Sequence, residues 1–150
     1  MMRDDDGFTL IELLVVVLIA AVLLALSIVS FMGFESRARR SAAADELRSA
    51  ALTSRSLLVT SGDYSTLAAD IAGLDPGLSL DPGGERGVAI LIGASGDACL
   101  VRITQNGEIM AVWLGVDETP AQLFATLPTM PATCPDHAGA VTQGFDDTPF

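Results

Sequence analysis

From Phe8 to Phe34 the chain runs for 27 residues that are almost all apolar, and the fifth of them is a glutamate, Glu12. As a helix such a run reaches about 40 Å, more than the roughly 30 Å hydrocarbon core of a bilayer. Apolar residues occupy every face, so the helix must be surrounded by lipid or by other helices rather than lie along a membrane surface. A carboxylate inside such a span costs free energy even near its end, and residues of this kind persist where a partner needs them. The first expectation is therefore a membrane-length helix whose one acidic residue has a task.

The residues that open the run, Gly7, Phe8, Thr9, Leu10, Ile11 and Glu12, follow a short leader, MMRDDDG. In this order they resemble the N-terminal signature of type IV prepilins and of the pseudopilins of type II secretion. The resemblance covers roughly Gly7 to Leu26. It implies a leader of residues 1–7, cut on the cytoplasmic side by a prepilin peptidase between Gly7 and Phe8, with Phe8 then N-methylated. It implies an α+β pilin fold, with a long N-terminal helix packed on a small antiparallel sheet and a disulfide-closed, coil-rich C-terminal region. Its implied partners are the peptidase, other pilin subunits, the assembly machinery and, before assembly, membrane lipid. Leaders of that family are usually basic, whereas this one carries Arg3 and three Asp.

Arg37, Arg39 and Arg40 follow the span. By the positive-inside rule they would hold the C-terminal part in the cytoplasm, but long domains translocate largely regardless of charge, and the processing signature requires the leader to face inward. Ala25, Leu26 and Ser27 loosely resemble a signal peptidase site. A secretory signal, however, would want a basic start and would have no use for Glu12.

With 150 residues the chain has room for one modest domain beside this helix. Its net charge is −11, and after position 61 twelve acidic residues face only Arg86 and Arg102, so nucleic acid is repelled. The bland reading of that acidity is a solvated surface that keeps an exported protein soluble. All eight basic residues are Arg. Without Lys, a pilus built by sortase through a Lys amine is excluded, and Leu127, Pro128 and Thr129 begin a sortase signal that Met130 and Pro131 do not complete.

The helix is expected to continue to about Thr60, giving residues 8–61 with 8–34 as the membrane part; no Pro interrupts positions 8 to 75, and Gly62 is placed to stop it. Glu35 and Arg39 are spaced to pair. Ala43, Leu47, Ala50, Ser54 and Leu57 make a stripe of small and aliphatic residues that can lie against a sheet. Only Gly33 and the serines at 27 and 30 offer a weak point for a bend. Residues 62–150 form the head. A short helical stretch is expected around Ser65 to Ile71, then a connecting loop with two Asp-Pro-Gly turns. Three strands follow at Val88 to Ile92, Cys99 to Thr104 and Ile109 to Leu114, an antiparallel meander over 87–115 with Asn106 and Gly107 marking a tight hairpin. From Gly115 the tail reads as ordered coil with one apolar patch at Leu123 to Leu127.

Cys99 and Cys134 are the only cysteines. Outside the cytoplasm they should pair, and a bridge closing about 35 residues removes roughly 4 kcal/mol of unfolded-state entropy. A disulfide-closed C-terminal region is common in type IV pilins and usually lacking in major pseudopilins, so the pair favours a pilus subunit. A redox or metal pair finds no further ligand at the right spacing. His137, the only histidine, reads as a solvated loop residue rather than a general base. Trp113 is expected on the sheet. Calcium at loops such as Asp146 and Asp147 is the weaker alternative to a plain acidic surface, because the ligand spacing matches no binding loop. No catalytic constellation is visible, and the expectation is no enzyme and no cofactor. A structural subunit that polymerises leads; a secretion pseudopilin and a low-copy minor pilin or adhesin are the alternatives.

Overall fold

The computed structural model describes residues 8–74, 78–81 and 87–150. Contacts divide the chain into two compact units, residues 1–37 and 38–150. Helix α1 runs unbroken from Leu10 to Ser61 and contributes to both. It stops where Gly62 adopts φ of 84°, a left-handed conformation that costs glycine little, and the Gly62 N–H donates to the Leu58 carbonyl at 2.8 Å.

In the second unit, α1 is followed by α2 (Leu67–Leu74), β1 (Ala89–Ile92), β2 (Ala98–Ile103), β3 (Ile109–Leu114), β4 (Gln122–Leu127) and α3 (His137–Thr142). The strands form one antiparallel sheet in the order β1-β2-β3-β4. The α+β architecture, with a long apolar helix, an antiparallel meander and a bridged tail, is the one the sequence implies. Both of the first two hairpins use the same three-residue loop. In one, the Gly107 N–H donates to Thr104 O at 2.8 Å and Gly107 sits at φ of 80°; in the other, Gly96 sits at φ of 90° and its N–H reaches Gly93 O at 3.1 Å. A turn followed by a left-handed glycine matches the twist of the flanking strands.

The tail differs from the coil expected of it. The apolar patch at Leu123 to Leu127 is β4, in register with β3 through Val112 opposite Phe124. Its alternation is short and diluted by Ala125 and Thr126, so it carries little strand signal until β3 offers a free edge. Residues 137–142 form α3, started by the Asp136 side chain accepting from the Gly139 N–H at 2.9 Å. Six residues are too few to show helical periodicity. Of the two Asp-Pro-Gly turns, residues 75–77 and 82–86 lie outside the described residues; Ser79 makes a parallel bridge to Gly87.

Side chains alternate along each strand, and both faces of the sheet are covered. On one face Ala98, Leu100, Met110, Val112 and Leu114 meet the α1 stripe of Ala43, Leu47 and Ala50 together with Tyr64, Leu67 and Ile71. The small residues of the stripe let helix and sheet approach closely, and its Ser54 hydroxyl is satisfied by Ala50 O at 2.7 Å. On the other face Cys99, Val101, Ala111, Trp113, Leu123 and Ala125 are covered by Cys134, Ala140 and Phe145. A buried ion pair crosses the helix-facing side. Arg102 Nε on β2 lies 2.8 Å from Glu46 Oε2 on α1, with both side chains largely buried, and Arg102 also donates to Gly87 O at 2.8 Å. Removing either partner of such a pair costs about 3–5 kcal/mol, because the other charge is left unmatched.

Candidate assembly site

Thr9 stands immediately before the first helical residue, Leu10, and Glu12 stands three residues after it. The Thr9 Oγ1 accepts from the Glu12 N–H at 3.3 Å, while Glu12 Oε2 accepts from the Thr9 N–H at 2.9 Å and from its hydroxyl at 2.8 Å. This reciprocal arrangement is a capping box. It satisfies donors that the start of a helix leaves open, and it places a negative charge at the positive end of the helix dipole. Thr9 is a residue that reading the sequence for chemistry passed over. The Thr-x-x-Glu spacing ahead of an apolar run is the signal that reveals it.

Among the described residues, those that follow this cap along the helix, as far as Leu26, are apolar and uncovered. Leu10–Ser27 is the one helical stretch among the described residues long and apolar enough to cross a membrane, and none of it is buried. Phe8 precedes the helix and is 78% exposed. Phe8, Ile11, Glu12, Val15 and Val16 line a shallow depression of about 360 Å³ whose one charged wall is the Glu12 carboxylate. Farther along, the Ser27 hydroxyl returns to Leu23 O at 2.8 Å and so adds no unpaired polar group to the span. Among the described residues, the walls of this depression hold no nucleophile and no base other than Glu12 itself. What they can do is accept a cation at Glu12 while burying apolar surface around it. Gly7, and with it the leader side of the expected cleavage site, lies outside the described residues.

The other pair of expected site residues belongs to the second unit. Cys99 on β2 and Cys134 in the tail form a disulfide with Cα atoms 5.2 Å apart, and both are buried. The segment after Cys134 is fastened at each step. Trp113 Nε1 donates to Pro135 O at 3.0 Å, Asp136 caps α3, and the His137 ring meets Trp113 edge-on at 5.2 Å between centroids. Trp113 lies fully buried on the sheet, as expected of it. His137 is not the solvated loop residue expected; it opens α3 and is half-buried against Trp113. Asp146 is exposed and tied to its neighbours. Its backbone bridges Phe124, and its carboxylate accepts from the Thr148 N–H at 2.9 Å. Near the end of α1, the Ser65 hydroxyl and N–H both donate to Asp63 and hold its carboxyl below the usual range.

The family model for the prokaryotic N-terminal methylation motif matches residues 2–28. That motif is the type IV prepilin leader signature, and the matched stretch holds the capping box and most of the apolar run. No curated protein and no solved structure matches the chain.

Proposed function

We propose that this chain is a structural subunit of a type IV pilus. In this reading residues 1–7 are a leader removed by prepilin peptidase between Gly7 and Phe8, Phe8 is N-methylated, and the helix of residues 8–61 polymerises subunits into an extracellular filament. Before cleavage the chain is a single-pass membrane protein with its leader in the cytoplasm, residues 8–34 in lipid and the head, 62–150, on the far side. Afterwards the assembly machinery moves the same apolar segment from lipid into the filament core. The observation that carries the reading is Glu12, a carboxylate within a matched methylation motif on a helical stretch, Leu10–Ser27, none of which is buried.

Glu12 then neutralises the free N-terminal amine of a neighbouring subunit as one docks on the other. Both charges become buried among apolar helices, where an unpaired ion costs several kcal/mol and a paired one much less. A subunit offset along the axis would leave amine and carboxylate unmatched. The pair therefore selects one stagger, while burial of apolar surface supplies most of the cohesion. The chief alternative is a type II secretion pseudopilin. The Cys99–Cys134 bridge, which closes the tail as type IV pilins commonly do, favours the pilus subunit.

Mass spectrometry of the exported protein is expected to find a chain that starts at methylated Phe8, and a chain starting at Met1 or cut after Ser27 would overturn the reading. Glu12→Ala is expected to insert and to be cleaved as the wild type is, yet to yield few or no filaments. Wild-type filament numbers from that variant would refute the assembly mechanism.

A further inference from the structure

We propose that Thr9 is a positioning residue for subunit docking, holding the Glu12 carboxylate through Oε2 so that Oε1 is left to receive an incoming amine. The inference rests on the assembly reading above and deepens it. Both hydrogen bonds that Thr9 gives to the carboxylate, from its N–H and from its hydroxyl, end on Oε2, and Oε1 takes part in neither. A glutamate side chain free to turn on an exposed helix would lose rotamer freedom at the moment of docking; one already held loses it beforehand. The same two donors partly replace the water that a carboxylate gives up in an apolar environment. The location matters as much as the contact. The held carboxylate forms the charged wall of the depression lined by Phe8, Ile11, Val15 and Val16. The N-terminal end of a second copy, an amine on an apolar residue, has the chemistry that fits a pocket with apolar walls and one anionic oxygen. A Thr at this position thus does more than start a helix, which Ser, Asp or Asn would do as well.

The experiment uses the full chain in cells that carry its assembly machinery, reading sheared filament per cleaved subunit in the membrane. Normalising to the cleaved pool removes losses from insertion, processing or turnover, the steps a merely structural cap would affect. Thr9→Val keeps the shape and loses the hydroxyl, and it is expected to lower the ratio roughly fivefold, as loss of a cap contact of ordinary strength does. Thr9→Ser is expected to restore it. Should Thr9→Val fail to accumulate, Thr9→Ala takes its place in the same ratio. A hydroxyl-free variant at or above the wild-type ratio, while Glu12→Ala makes no filaments, overturns the positioning role and leaves the assembly reading standing. Normal filaments from Glu12→Ala overturn that reading and this inference together.

Discussion

Tyr64 shows how a single buried atom can set a pH limit. Its side chain is buried between α1 and the sheet, and its hydroxyl finds no hydrogen-bond partner among the described residues. Burial pushes the phenol above its ordinary value of 10.0, with Arg55 opposing and Asp97 adding to the effect. The folded state therefore holds this proton more tightly than the unfolded chain does. Stability is intact below the unfolded value and falls as pH rises from there through the raised folded value. Tyr64→Phe is expected to flatten that alkaline loss. At neutral pH it should leave stability unchanged or raise it by about 1 kcal/mol, since an unsatisfied buried hydroxyl is removed with little change of shape. Urea melts of both proteins at about pH 7 and about pH 11 check this, and a clearly less stable variant at neutral pH would show that the hydroxyl has a partner. The sequence gives no warning of such residues. Tyr64 stands in a short polar stretch with nothing beside it to mark burial, and the pairing of Glu46 with Arg102 depends on how α1 lies across β2. Glu12 was legible because the cost of its charge is set by neighbours in sequence alone.

Elements were legible where local chemistry dictates them. The 52-residue α1 follows from an apolar, then Ala-rich stretch free of Pro and ended by Gly62. The β2–β3 hairpin follows from Asn106 and Gly107, and β3 spans Ile109–Leu114, the bounds the sequence suggests. β4 was not legible because it forms only when β3 offers it an edge, and α3 because a side-chain cap rather than periodicity starts it. Gly107 measures how far the turn chemistry matters. It sits at φ of 80° with no atom within 4 Å of an added Cβ, so Gly107→Ala meets no clash and is strained only in its backbone. The expected cost is about 1–2 kcal/mol, the ordinary penalty for a left-handed L-residue. Chemical denaturation of the variant measures it. A neutral effect would mean that the hairpin shifts to another turn, which a changed β2–β3 register in amide exchange would reveal.

At the scale of the molecule, two parts of the sequence speak in different ways. Residues 2–28 match a motif written in consecutive residues, and in the proposed reading that motif is a signal for other proteins. The rest builds a helix on a meander, which many sequences can do, so pattern alone gives the architecture without finer identity. The bridge is where the second part depends most on one contact. Cys99 lies on a central strand and Cys134 in the tail, 35 residues later, so the bond ties the segment that includes β4 to the face of the sheet away from α1. A loop of that length corresponds to about 4 kcal/mol of unfolded-state entropy, a large share of the roughly 5–15 kcal/mol that stabilises an ordinary domain. Replacing both cysteines with Ala should therefore lower the unfolding free energy by about 3–4 kcal/mol and loosen α3 first, since Trp113, Pro135, Asp136 and His137 are fastened just beyond Cys134. The proposed cleavage after Gly7 should be unaffected, because the motif that suggests it lies in residues 2–28, away from the bridge. Non-reducing peptide mapping of the exported protein, melts of the double variant and the mass of its N-terminus test all three parts. Thiols that react freely with alkylating agents in the native exported protein would show that the tail is held by packing alone.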